Sequence, residues 1–445
     1  MRKNLSAPFC PTLLRVMTFT LSLMSASIYA KGQLTYSYMG RINTPLVENI
    51  GNQFVEFDLY EEVDKNQDWD GVYSAHFRHY PGAQSQIFSV PEAYIEKRMG
   101  AHEWSIGRKI INWQRNDKFW ALGEVNPIKA FNLIETQREG LMGIHYRWKS
   151  SSRWEFMAQF SPLHIPQVNP TFSAEDGEVV GKNEWSYPPP EFVRFRGNEV
   201  PIHYTLVYPD MKELLLKTSA SFSLAYHFDQ ARIGIYGGYK PETGIRINAT
   251  GFYEQFDEER ALVKAKPFVN NHYFWGGSFD YQFNSRNDPD AWISSLGVEG
   301  VVPEIGNDES FEFQALKIQP EYERLTYTTW SLDYESDLFN LGLNALYLID
   351  GDRVNTNVFA KKPKWRRAVG LTASWSPLSS VYLNTLYRYD IKTADMTFMS
   401  EARYEWSKHI SLTAGVQIVD APEDHSFWAP YRSNDTIYSR LGFIF

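Results

Sequence analysis

The chemistry in this sequence resides in charged side chains set into alternating polar and apolar segments. Arg366, Arg388, Arg403 and Arg440 occupy such segments toward the C-terminus, with Asp390, Glu401 and Glu405 interleaved among them. Arg41, Arg78 and Arg147 hold equivalent positions in the first third of the chain. Alternation at period two is the mark of a strand with unlike faces, so each of these charges lies opposite a row of apolar residues. If the apolar rows face lipid, the charges must face water, protein or each other, because a base at mid-depth in hydrocarbon costs about 2–4 kcal/mol. A mixed wall of bases and acids around water would create a transverse field that favours hydrated polar solutes over greasy ones. The competing reading is a filled interior in which the same residues form salt-bridge ladders and only stabilise the wall.

Other chemistry has little support. His76, His145, His227 and His272 are predicted on the charged faces but scattered, and no Ser-His-Asp set, HExxH or glycine-rich phosphate loop is visible. The only cysteine, Cys10, precedes a short apolar run, so the mature chain has no disulfide and no thiolate metal site. No enzyme activity, cofactor or metal is expected.

The elements that must position the charges can be counted. HISLTAGVQIV puts Ile410, Leu412, Ala414, Val416 and Ile418 on one face; QLTYSYMGRI puts Leu34, Tyr36, Tyr38 and Ile42 opposite Gln33, Thr35, Ser37 and Arg41. Strands of this kind are predicted near 33–42, 53–62, 70–80, 87–98, 102–111, 139–148, 153–161, 214–228 and 231–240. They continue near 272–284, 291–302, 323–336, 338–349, 364–376, 380–390, 396–407, 410–419 and 435–445. The count is about 18, within 16–20, and even, as a single-chain bacterial barrel requires. Connections after even-numbered strands are mostly short and several after odd-numbered ones are long, the asymmetry of short periplasmic turns and long extracellular loops. A Greek-key sandwich would not sort its loops this way. The expected fold is all-β: a closed antiparallel transmembrane β-barrel.

Three further features agree. No segment reaches about 18 uninterrupted apolar residues, so no spanning helix is expected. Aromatic residues make up 16% of the chain, with 14 Trp and 27 Tyr, enough to supply interfacial girdles; Trp365 and Trp375 are assigned to the two interfaces. Residues 1–30 combine Arg2, Lys3 and Arg15 with an apolar run ending at Ala30, the pattern of a cleaved signal peptide, which leaves 31–445 as one barrel domain. Its removal leaves 41 Lys+Arg against 53 Asp+Glu, a net charge of −12 that argues against a nucleic-acid surface.

The final segment, DTIYSRLGFIF, places Ile437, Leu441, Phe443 and Phe445 on one face and ends on an aromatic residue. It resembles the C-terminal signature by which bacterial outer-membrane barrels are handed to their insertion machinery. Residues 104–148 carry Gly107-Arg108, Trp113, Asn126-Pro127 and Gly140-Leu141 in an order similar to the DUF1302-type proteobacterial outer-membrane proteins, and it looks distantly like the alginate-export barrels. Arg108 falls in phase with Trp104 and Ile106, which predicts a bulge or a rim position there. The proline-rich stretch 162–213 is expected to be a compact outer loop without regular strands, with Arg194 and Arg196 as candidates for a constriction. Residues 252–268 read as a short amphipathic helix. Taken together, the residues point to a porin-like outer-membrane channel for passive diffusion of small polar or charged solutes. Its partners would be outer-membrane lipid, the insertion machinery and those solutes. The alternatives are a surface adhesin or structural barrel with an occluded lumen and, less favoured, a barrel hydrolase.

Overall fold

A computed structural model describes residues 31–43, 53–63, 69–82, 85–129, 132–135, 137–150, 153–167, 172–175, 177–181, 183–186, 189, 191–195, 197–207, 210–254, 260–284, 290–304, 323–351 and 362–445. Residues 1–30, read as a signal peptide, lie outside the described set, as does Arg196. The first part of the wall is β1 (Lys31–Arg41), β2 (Gln53–Val63), β3 (Trp69–Tyr80), β4 (Ser85–Met99), β5 (His102–Lys109), β6 (Leu141–Lys149) and β7 (Trp154–Ser161). An outer loop then carries β8 (Phe172–Glu175), β9 (Glu178–Gly181), β10 (Phe192–Phe195) and β11 (Asn198–Leu206). The wall resumes with β12 (Ser219–His227) and β13 (Ala231–Pro241), and a second outer loop holds β14 (Arg246–Glu254) and β15 (Arg260–Phe268). The remaining wall strands are β16 (Asn271–Gln282), β17 (Ala291–Pro303), β18 (Leu325–Glu335), β19 (Phe339–Asp350), β20 (Arg367–Leu378), β21 (Val381–Asp390), β22 (Met396–Ser407), β23 (Ile410–Asp420) and β24 (Thr436–Ile444).

The wall is one 18-stranded antiparallel sheet that closes on itself. The closing pair is β1 with β24, in register from Gln33 opposite Ile444 to Arg41 opposite Thr436. Gly32 and Phe445 exchange backbone hydrogen bonds of 3.0 Å in both directions, so the last residue is part of the seam. Closure leaves the sheet without an edge, the condition for a sheet in hydrocarbon, where no water can satisfy a free N–H or C=O. No helix among the described residues is long and apolar enough to cross a membrane.

Strand alternation then sorts the side chains. Outward positions are apolar and exposed: Phe88, Ile106, Ile235, Leu296, Leu343 and Ile437 are each more than two-fifths accessible. Trp69, Trp104, Trp154, Trp292, Trp375 and Trp406 all project outward near the short-turn end. They form one aromatic girdle, the place where an amphipathic ring is best accommodated between headgroup and acyl chain. Tyr38, Tyr273 and Tyr347 are exposed toward the other end. An outer face this greasy is stable only in lipid, and the protein is a transmembrane β-barrel.

Four local expectations are corrected. The strand expected from 214 begins at Ser219, because Met211–Leu215 forms a short helix whose N-cap, Asp210, accepts a 3.0 Å hydrogen bond from the Lys212 N–H. The strand expected from 364 begins at Arg367, and Trp365 is fully buried between Trp120 and Trp428, at ring separations of 6.0 and 5.1 Å. It is therefore a packing residue rather than an interfacial one. The described residues of 252–268, 252–254 and 260–268, are strand rather than helix: Ala261, Val263 and Ala265 are buried at period two on β15, which is flanked by β14 and by β11. Proline does not keep the 162–213 loop free of strands; Pro201 lies inside β11, which pairs with β10 and runs parallel to β15.

Placing an arginine on the lipid face at mid-height tests this arrangement. Leu296→Arg should lower stability by about 2–4 kcal/mol, measured by denaturant titration of the refolded barrel in bilayers, whereas an unchanged midpoint would mean that this position does not meet hydrocarbon.

Candidate functional site

Eighteen strands enclose a lumen that wall side chains alone cannot fill. The chain narrows it with its own segment between β5 and β6, whose described residues 110–129, 132–135 and 137–140 reach across the interior. The root of this loop is built by Gly107, Arg108, Glu139 and Gly140. Gly107 has φ +131°, and a Cβ there would run into the carbonyl oxygen of Ala93. This local twist, with a bulge where β4 pairs β3, turns Arg108 into a buried position. Its guanidinium donates to Gly140 O at 2.9 Å, Val90 O at 2.7 Å and the Glu139 carboxylate at 3.0 Å. Glu139 is fully buried and also accepts from the Ser89 hydroxyl. Asn126 donates to Ile111 O at 3.1 Å and to Asp117 at 2.8 Å, folding the loop back on itself. Burial pushes the Asp117 carboxyl above its ordinary value, opposed by that hydrogen bond and by Arg138. Trp113 packs against Tyr236 and Phe274 of the wall at 5.3 and 5.6 Å.

The crown of the loop is fastened to the far wall. Asn116 donates to Thr329 at 3.0 Å and Gln114 to Glu299 at 3.3 Å. Arg115 pairs with Asp333 at 3.1 Å and with Glu335. Phe119 lies over Gly370, where any side chain would strike its ring. Two buried cations hold backbone carbonyls of the loop: Arg388 donates to Phe119 O at 2.6 Å and Ile134 O at 3.3 Å, and Lys364 donates to Ala121 O at 3.3 Å and Leu133 O at 3.4 Å. Burial, with Arg388 alongside, pushes the Lys364 ammonium well below the usual lysine range. Around these contacts Trp120, Trp365, Trp428 and Ile134 make an apolar cluster inside the barrel.

The expected site residues do not form one wall. Arg41 lies at the long-loop end, 4.0 Å from Glu184 of the first outer loop. Arg366 precedes β20 by one residue and is buried; its backbone N–H, like that of Arg367, donates to Asp390. Arg388 faces inward but lies beneath the inserted loop, only 2% exposed. Arg78 pairs with Glu56 at 2.9 Å and stacks over Phe54 at 4.4 Å. Arg440 pairs with Glu135 of the inserted loop at 2.9 Å and with Glu401 at 3.9 Å. Arg147 pairs with Glu155 at 2.7 Å, and Arg403 with Glu405 at 3.0 Å, both near the short-turn end. Arg194 belongs to the outer sheet, its backbone opposite Glu199. Three pairs of expected residues meet directly, Arg366 with Asp390, Arg403 with Glu405 and Arg440 with Glu401, and Arg78 and Arg440 line one small pocket with Asn132, Trp185, Phe54 and Tyr438.

Glu56, Asp58 and His76 place their ligand atoms within 4.8 Å of one another, the one such group among the described residues. The imidazole bridges them, with Nδ1 2.7 Å from Asp58 and Nε2 3.2 Å from Glu56, and Arg78 occupies the same Glu56 oxygen. A metal ion would have to displace a guanidinium from that oxygen, so the group is an ion-pair network in the wall. Gln114, Asn116, Glu139 and Lys364 were not among the expected site residues. Neither periodicity nor spacing marks side chains whose role is to grip a loop from across a barrel.

No family model matches the chain, and no curated protein matches it. Solved structures do. The chain is similar to OccAB4 of Acinetobacter baumannii at 10% identity and a TM-score of 0.48, with 94% of this chain and 97% of that one covered. It is similar to OccK2 (OpdF) of Pseudomonas aeruginosa, solved in complex with glucuronate, at 8% identity and a TM-score of 0.48 over 94% and 97%. A BenF-like porin from Pseudomonas fluorescens Pf-5 gives 8% identity and a TM-score of 0.48 over the same shares.

The loop root is open to direct test. Arg108→Met leaves the Glu139 carboxylate buried without its guanidinium and should cost about 3–5 kcal/mol in urea unfolding. A loss below about 1 kcal/mol, the level of an exposed ion pair, would show that Arg108 does not anchor the loop.

Proposed function

We propose that this protein is a porin-like channel through which small polar solutes diffuse passively across the outer membrane of a Gram-negative cell. The observation that carries the reading is that charges on the inner face are in contact with water. The side chains of Arg147, Arg403 and Glu405 are 34%, 38% and 31% exposed, and that of Asp58 is 45% exposed, although all of them point into the barrel. A barrel filled dry by structural ladders would bury such groups or leave them out. An aqueous lumen narrowed by an inserted loop is the arrangement that lets water and small polar solutes through and excludes larger ones.

In this reading the expected lining residues divide into two sets. Arg147, Glu401, Arg403, Glu405 and Arg440 line the water, with Arg78 beside them at the narrow cavity. Arg388, Arg366 and Asp390 support the inserted loop and the outer mouth, and Arg41 ties the mouth to the first outer loop. Residues 1–30 are removed after Ala30 on export, and the closing strand with Phe445 is what the insertion machinery reads.

Planar-bilayer recording of the refolded full chain tests the function. Discrete single-channel steps are expected in potassium chloride. The variant carrying Arg388→Ala and Lys364→Met frees the Phe119–Ile134 carbonyls and should raise the step conductance or add long open events. No conductance from either protein, with folding verified by the heat-dependent gel shift of a closed barrel, would establish an occluded barrel with a structural or adhesive role.

A further inference from the structure

Resting on the channel reading, we infer that the pore prefers cations, because acids outnumber bases on the lumen wall and the bases are shared among them. Among the described residues, the ion-pair groups of the lumen wall and inserted loop hold fourteen carboxylates against ten guanidinium or ammonium groups, plus the imidazoles of His76 and His227. The surplus is spread around the barrel. Asp333 and Glu335 share the one guanidinium of Arg115. Glu135 and Glu401 share that of Arg440. Asp70, Glu96 and Glu103 share Arg98 and Lys109. Asp58 meets the His76 imidazole at 2.7 Å.

Exposed charges of both signs line the wall: Glu335 is 49% and Asp58 45% exposed, Arg98 65% and Arg403 38%. The cations that grip the inserted loop, Arg388 and Lys364, are buried against carbonyl oxygens and present little charge to the water. Arg78, Arg147, Arg403 and Arg440 are each paired with a carboxylate, and the carboxylates left over make the summed charge of these groups negative. Inside low-dielectric walls such a field is focused along the lumen, so permeating cations are concentrated and anions depleted.

Zero-current potentials of the refolded full chain in a potassium chloride gradient decide this. The wild-type potential should take the sign of the potassium equilibrium potential. Asp58→Asn combined with Glu335→Gln should move it toward zero without abolishing the steps. A wild-type potential at zero or of chloride sign, or an unmoved potential in the folded double variant, overturns the inference and leaves the channel reading standing. If the double variant does not fold, the wild type alone suffices. Replacing potassium by tetraethylammonium should reduce the conductance more than replacing chloride by gluconate, and the reverse order overturns the inference. Absence of any steps removes the channel reading and this inference with it.

Discussion

The hydrogen-bonded seam between β1 and β24 is the constraint on which the rest of the molecule depends. A sheet in hydrocarbon cannot leave a row of N–H and C=O groups unpaired, so the ladder must close. Closure places Gly32 against Phe445 and aligns every intervening strand in one antiparallel order. It also settles the two faces together: once Tyr36 and Leu441 are turned to lipid, Ser37 and Arg440 are turned to the lumen.

Closure with 18 strands creates the second problem, an interior too wide for side chains. Residues 110–140 meet it, and their chemistry differs from that of the wall. At the root the loop relies on a buried guanidinium–carboxylate pair, Arg108 with Glu139, satisfied by carbonyl and hydroxyl partners. At the crown it is held by Arg388 and Lys364 through backbone carbonyls, so these grips do not depend on which side chains the loop carries there. The aromatic cluster of Trp120, Trp365 and Trp428 supplies the apolar burial that an inserted segment needs to offset its ordering entropy.

What the inserted loop does not cover is wet and charged, and there the number of charges matters less than their pairing. A wall read as a list of arginines looks basic. With guanidinium groups such as that of Arg440 shared by two carboxylates, Glu135 and Glu401, the same wall carries more acids than bases. The pairing follows from register. Asp58 lies opposite His76 and Glu56 opposite Arg78 on adjacent strands, where cross-strand neighbours are close enough to neutralise each other.

The sequence by itself determined the wall. Period-two alternation, turn length and the aromatic C-terminus were enough for the strand number and the closed antiparallel barrel, because each is a local or nearest-neighbour property of the pleat. It was misleading where local pattern and tertiary setting diverge: Trp365, Pro201 and the segment around Val263 look like an interface residue, a breaker and a helix face until their partners are known. The tertiary structure alone decided which residues hold the inserted loop, and at what height each charge sits. Gln114 meets Glu299 and Asn116 meets Thr329 across the barrel, about two hundred residues apart in the chain, and no periodicity carries that separation. The sign of the lumen's free charge belongs to the same class. It is set by which acids share a base, and that is a fact of packing in three dimensions.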